Sequence, residues 1–151
     1  MLRRFPLSHW TMNGLMKRYL ITCFLLVFVS SALPQDIISL QKTFDELASH
    51  LQRRKFDKAY DMMSAKSQSV VSREQFAAMF QTLEAENGKL QSFSKALVRT
   101  QRARELGLIV AHQRYKSRDL LMAYLFRPEN GGWRLVEVKP ASELSDTEKN
   151  W

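Results

Sequence analysis

Residues 107–139 constrain the fold of this chain more than any other stretch. They read as three antiparallel strands, at 108–116, 120–126 and 133–138. The connection Arg127-Pro128-Glu129-Asn130-Gly131-Gly132 carries the hairpin signal. Asn-Gly supplies the positive backbone angles of a tight reversal, and Pro128 is expected to end the ladder before it. In the first strand Leu108, Val110 and His112 share one face, and Ile109, Ala111 and Gln113 the other. In the second, Leu120, Met122, Tyr124 and Phe126 oppose Leu121, Ala123 and Leu125. In the third, Trp133, Leu135 and Glu137 oppose Arg134, Val136 and Val138. The middle strand is apolar on both faces. It must therefore be central and covered twice, by helices on one side and by a partner or a curl of the sheet on the other. A homodimer through the sheet is one such cover.

The first half of the chain has the helical period. Ile37, Leu40, Phe44, Leu47, Ala48 and Leu51 fall in steps of three and four, with Asp36 as the expected N-cap. Arg53-Arg54-Lys55 reads as a solvated basic helix end. A second short stripe is Phe56, Ala59, Tyr60 and Met63, and residues 64–69 read as a loop. The third helix opens on a capping box, Ser72 with Gln75, and a hydrophobic staple, Val71 with Phe76. Asn87-Gly88 is its left-handed stop. Met62, Met63 and Met79 read as core filling beside Phe76 and Phe80. Residues 90–104 suit a polar edge strand, whose Arg99, Arg102 and Arg104 guard against unwanted pairing. The expected class is α+β: three N-terminal helices packed on a curved antiparallel sheet of about four strands.

The beginning of the chain reads as a destination rather than as fold. Met16-Lys17-Arg18 leads into an apolar run, 19–29, and then Ser30-Ser31-Ala32. These are the three parts of a secretory signal, with cleavage expected after Ala32. The start falls at Met1, or at Met12 or Met16, each of which leaves a compact basic beginning. The alternative is an uncleaved membrane anchor, which needs about 20 apolar residues. The net charge of +8 drops to +4 without Arg3, Arg4, Lys17 and Arg18, which all precede the first acid. The basicity is thus a targeting feature, and no nucleic-acid partner is expected. The only cysteine, Cys23, lies in the leader, so residues 33–140 would form one domain with no disulfide and no thiolate metal site. The tail at 141–151 is polar and expected to fray.

Three helices followed by a curved sheet that ends in Gly131-Gly132-Trp133-Arg134-Leu135-Val136 resemble the nuclear transport factor two-like superfamily, and within it the small secreted bacterial domains of unknown function. Phe56-Asp57-Lys58-Ala59-Tyr60 resembles the start of their second helix. Val71-Ser72-Arg73-Glu74-Gln75-Phe76 resembles the start of their third. The resemblance implies a cystatin-like cone, with helices and sheet wrapped around a pocket. That fold hosts isomerases, dehydratases, cyclases and non-enzymatic modules alike.

No nucleophile elbow, phosphate loop or metal spacing occurs, and no cofactor is expected. The acid–base candidates are His112, the only histidine in a strand, and Glu137. Tyr60, Phe80, Tyr124 and Trp133 are the expected pocket lining. Two function classes fit. The favoured one is an exported, non-catalytic module of the periplasm or cell envelope, holding a small apolar ligand or docking on an envelope protein. The other is a small isomerase- or cyclase-like enzyme with His112 or Glu137 as base. On the first reading, mass spectrometry of the native protein should find Leu33 as the N-terminal residue. A mass that retains residues 19–29 would make the leader an anchor instead.

Overall fold

The computed structural model describes residues 32–150; the leader expected over 1–32 falls outside them except for its last residue. The chain divides into two units, Met1–Pro34 and Gln35–Trp151, and the sheet belongs to the second. Among the described residues four helices come first: α1 (Ala32–Gln52), α2 (Phe56–Tyr60), α3 (Ala65–Gln68) and α4 (Arg73–Asn87). The strands follow as β1 (Leu90–Gln101), β2 (Leu106–Tyr115), β3 (Asp119–Glu129) and β4 (Gly132–Pro140). A short turn of 3-10 helix, Ala141–Glu143, and α5 (Asp146–Lys149) close the described chain. The sheet is an antiparallel meander in the order β1-β2-β3-β4, so the class is α+β.

Local chemistry explains most of the boundaries. Helix α1 begins upstream of the expected cap, and Asp36 lies within it. Pro34 is tolerated there because a first-turn residue needs no intrahelical N–H bond. The end of α1 takes the form usually built on glycine. Arg54 has φ 56°, Lys55 N–H donates to the His50 carbonyl at 2.8 Å, and Arg54 N–H donates to Leu51 at 3.0 Å. The basic triplet is therefore not wholly solvated: Arg54 Nε lies 3.1 Å from Glu84 Oε2. The loop expected at 64–69 contains α3 instead, because Ser64 Oγ accepts from Ser67 N–H and caps a single turn. The capping box of α4 forms in both directions, Gln75 N–H to Ser72 Oγ at 3.2 Å and Ser72 N–H to Gln75 Oε1 at 2.8 Å. Gly88 then takes φ 82°, and any Cβ there would stand 2.8 Å from Lys116 Cβ.

Pro128 does not end the ladder. Pairing continues through Pro128↔Trp133 to Glu129↔Gly132, and Asn130 and Gly131, at φ 52° and 79°, make a two-residue reversal. In such a hairpin Glu129 and Gly132 exchange the closing hydrogen bonds, so Pro128 sits at a non-hydrogen-bonded pair. Its missing N–H would face β2, whose pairing with β3 has already ended at Gly107↔Phe126.

The inner face of the sheet packs on the helices. Phe44 meets Tyr124 edge-on at 5.0 Å and Phe93 at 5.9 Å, while Phe76 joins Phe80 at 5.2 Å and Tyr60 at 5.9 Å. Leu40, Leu47, Leu51, Ile109, Phe126 and Leu135 complete this core. Each such side chain contributes about 1.5–3 kcal/mol on burial. The free edge of β4 is closed by the segment after α2. Leu135 N–H donates to Met62 O at 2.9 Å, Ser64 N–H to Leu135 O at 2.8 Å, and Ser67 Oγ–H to Val136 O at 2.9 Å.

A second, smaller core lies on the outer face, and the tail covers it. Leu97, Leu108, Val110, Ala123 and Leu125 pack with Ala141 and Leu144. The tail expected to fray is packed as far as Lys149. Leu144 is only 8% exposed, Lys139 Nζ donates to Glu148 Oε1 at 2.9 Å, and Arg99 Nη1 donates to the Lys149 carbonyl at 3.2 Å. Ser145 and Glu148 form their own capping box. Partial burial works to raise the Glu148 pKa, but hydrogen bonds from Lys139 and from the Ser145 hydroxyl and N–H outweigh it and bring it to about 2. A carboxylate lowered in the fold stabilises it above its unfolded pKa. The tail contact should therefore hold above about pH 4.5 and weaken as pH falls toward 2, read as faster amide exchange at 144–148. Leu144→Ala should cost about 2 kcal/mol in chemical denaturation. An unchanged midpoint would mean that the tail carries no packing.

Candidate functional site

The interior of the cone is the first place to look for a site, and its centre is packed with side chains, leaving a small cavity of about 150 Å³ between Phe76 and Met79 on α4 and Val138 on β4. Tyr124 is 0% exposed and lies at its centre, between Phe44 on α1 and Phe93 on β1. Gln113, also 0% exposed, reaches it from β2. The Gln113 Nε2 amide donates to the Tyr124 hydroxyl, and Tyr115 Oη–H donates to Gln113 Oε1 at 2.6 Å. Burial keeps both phenols neutral. It pushes Tyr115 up to about 12, helped by the nearby Glu84 carboxylate, and raises Tyr124 well above the ordinary phenol value. This network satisfies buried polar groups in the core and contains no carboxylate or imidazole to move a proton.

The sequence-predicted acid–base pair does not assemble. His112 is exposed on the outer face opposite Leu121. The equal alternation expected for the last strand fails at Val136, where β4 bulges: Phe126 pairs with Leu135 and Leu125 with Glu137. The extra residue turns Glu137 off the face it was expected to share with Leu135 and brings Val138 opposite Tyr124. Glu137 is exposed, 3.3 Å from Lys139 Nζ. His112 and Glu137 stand opposite residues of β3 four positions apart, about 13 Å along the strand, and two strands apart across the sheet.

Three of the four expected lining residues are structural. Tyr60 Oη–H donates to Val71 O at 2.8 Å and to Gln68 O at 3.2 Å, tying α2 to the start of α4, with the Arg73 guanidinium 4.6 Å above its ring. Phe80 and Tyr124 are fully packed. Trp133 alone of the four faces a groove.

That groove, about 540 Å³, opens at one end of the sheet where α1, the β1–β2 connection and the β3–β4 turn meet. Asp36, Ser39 and Thr43 line it from one face of α1, Thr100 and Gln101 from the end of β1, Glu105 from the connection and Leu106 from the start of β2. Pro128, Gly131, Gly132 and Trp133 form its third side. A relay of hydrogen bonds holds the wall: Trp133 Nε1–H to Ser39 Oγ at 3.0 Å, and Ser39 Oγ–H to Asp36 O at 3.0 Å. Gly107 allows this closeness, since a Cβ there would lie 2.8 Å from Leu40 Cδ2 and 3.2 Å from Trp133 Cζ3. Gln101 Oε1 is buried with no hydrogen-bond partner among the described residues. Sequence reasoning found Trp133 but missed Ser39, Gln101 and Glu105, which only the meeting of three loops and helix turns brings together. Among the described residues no group of three or more His, Cys, Asp or Glu side chains is placed to hold a metal ion.

No family model and no curated protein sequence matches this chain. A crystal structure of a domain of unknown function with a cystatin-like fold from Nostoc punctiforme is similar to it. The likeness covers 77% of this chain and 82% of that one, with a TM-score of 0.51 and 14% identity. It speaks for the fold alone, and the chain has a cystatin-like fold.

Gln113→Leu should orphan two phenol hydroxyls and cost about 2–4 kcal/mol. Gln113→Glu, which cannot donate to Tyr124 when ionised, should cost more at neutral pH than in acid. Tyr115, raised in the fold, stabilises it below its unfolded pKa near 10. Stability should therefore decline as pH climbs from 10 to about 12, measured by denaturation midpoints.

Proposed function

We propose that this chain is an exported, non-catalytic binding module of the cell envelope, of nuclear transport factor two-like type, which engages its partner at the groove beside Trp133. The observation that carries this reading is the filled interior. A cone enzyme needs room for a substrate next to a titratable group. Here that space holds Tyr124, Phe44 and Gln113, all buried. The exposure of His112 and Glu137 on the outer face, with no orienting partner shared between them, weighs against the isomerase- or cyclase-like alternative. The groove offers what recognition requires, an aromatic wall and several hydroxyls on rigid elements.

The partner on this reading is a small ligand, or a projecting group of an envelope protein, that enters the groove. Native mass spectrometry of the protein purified from its own compartment tests the proposal. A retained molecule that is recovered chemically unchanged after prolonged incubation, and is lost in Trp133→Ala, is the expected result. His112→Gln should leave its retention unaltered. Conversion of the molecule by the wild-type protein, abolished in His112→Gln, would replace the binding module with the enzyme.

A further inference from the structure

The outer core is built from two unequal parts. Leu97, Leu108, Val110, Ala123 and Leu125 belong to the sheet, while Ala141 and Leu144 come from the tail. The far end of the tail is held from both edges of the sheet. Lys139 on β4 donates to the Glu148 carboxylate at 2.9 Å, and Arg99 on β1 donates to the Lys149 carbonyl at 3.2 Å. The tail is thus a strap laid across the outer face. Its fastening is slight. Leu144 is the one large apolar side chain of residues 141–150, and α5, with four residues, is too short to be stable by itself. The apolar surface continues past the strap. Leu121, on the same face two residues before Ala123, is 43% exposed. It borders a groove of about 670 Å³ whose walls include Leu83 of α4 and Ala141 and Ser142 of the tail. Ala141 therefore belongs both to the covered core and to the open groove beside it. The face is larger than the segment that covers it.

We propose that this outer face is a docking surface for an acidic, leucine-bearing segment of a partner protein, and that the tail is its built-in occupant, which such a segment displaces. The tail itself defines the chemistry. A leucine takes the place of Leu144 in the outer core. A carboxylate takes that of Glu148 beside Lys139, whose ammonium Glu137 also approaches at 3.3 Å. A larger apolar residue in place of Ala141 reaches Leu121, about 7 Å along β3 from Ala123. That added contact is what lets a partner win against a tethered tail, whose high effective concentration otherwise keeps the face closed. The surface shares no lining residue with the Trp133 groove and does not depend on it.

The test uses the full chain and fluorescein-labelled peptides read by polarisation. The probes are the peptide of residues 141–150, the same peptide with Ala141→Phe, and a control with Leu144→Ser and Glu148→Lys. The chain with Leu144→Ser and Glu148→Gln, which releases the strap, should bind the first two about tenfold or more tightly than wild type does. In wild type only the open fraction is competent. The Ala141→Phe peptide should bind about threefold or more tightly than its parent, and Leu121→Asp in the protein should remove that gain alone. Lys139→Glu in the released chain should reject the parent peptide and accept one carrying Glu148→Lys. Wild type, which folds with its strap in place, should itself prefer the Ala141→Phe peptide to the control at about 1 mM. Amide exchange on wild type tests displacement without any variant. The Leu144 N–H, bonded to the Ala141 carbonyl, should exchange about 100-fold or more faster than the amides between β2 and β3. Exchange no faster than theirs would make the tail a fixed part of the fold and overturn the assignment. Equal binding of the control peptide, or equal binding by the released chain and wild type, would overturn it as well. A released chain that dimerises in place of binding peptide would make a second copy the occupant, and would also overturn it.

Discussion

Leu125 and Phe126 are neighbours in sequence and lie in different cores. That one constraint, a central strand with two apolar faces, organises the rest. The inner face demands α1 and α4, and it receives them through Phe44, Phe76 and Phe80. The outer face demands a second cover, and the chain supplies it from its own C-terminal segment through Leu144. The tail is held by means that do not depend on apolar contact alone. Lys139, Glu148 and Ser145 form a small hydrogen-bonded cluster that fixes α5, a helix too short to be stable by itself. The cover is partial. Leu121, 43% exposed, and the exposed His112 lie beyond its reach on the same face.

The filled interior has a functional consequence. A cone of this class offers two places for a ligand, its inside and its rim. Tyr124 and Gln113 close the first by occupying it with a satisfied polar pair, which costs little only while both phenols stay neutral. On the proposed binding reading, recognition is left to the rim, where segments of three elements meet. Such places are built from side chains far apart in sequence: Ser39 and Trp133 touch across 94 positions.

The sheet's shape comes from residues that fail to pair. Gln91 and Ala96 in β1 and Val136 in β4 each interrupt a ladder. The Val136 bulge decides which way Glu137 points. Its carbonyl is also where Ser67 attaches the short helix α3 to the sheet edge. The bulge is therefore fixed from outside the strand.

The sequence by itself determined the strands, their faces as far as Leu135, the Asn-Gly reversal, the capping box of α4 and its glycine stop. These are local: each depends on residues within a few positions, through backbone preference or the two-residue period of a strand. Only the tertiary structure decided that Glu137 leaves the inner face, that Pro128 is harmless where β2 has ended, that the polar tail docks, and that the interior is closed. A bulge, a strand's length against its neighbour and the volume left inside a core are relations between distant segments. Alternation within one strand carries no information about them, because the same residues can satisfy either register until a partner strand and a packed core choose one.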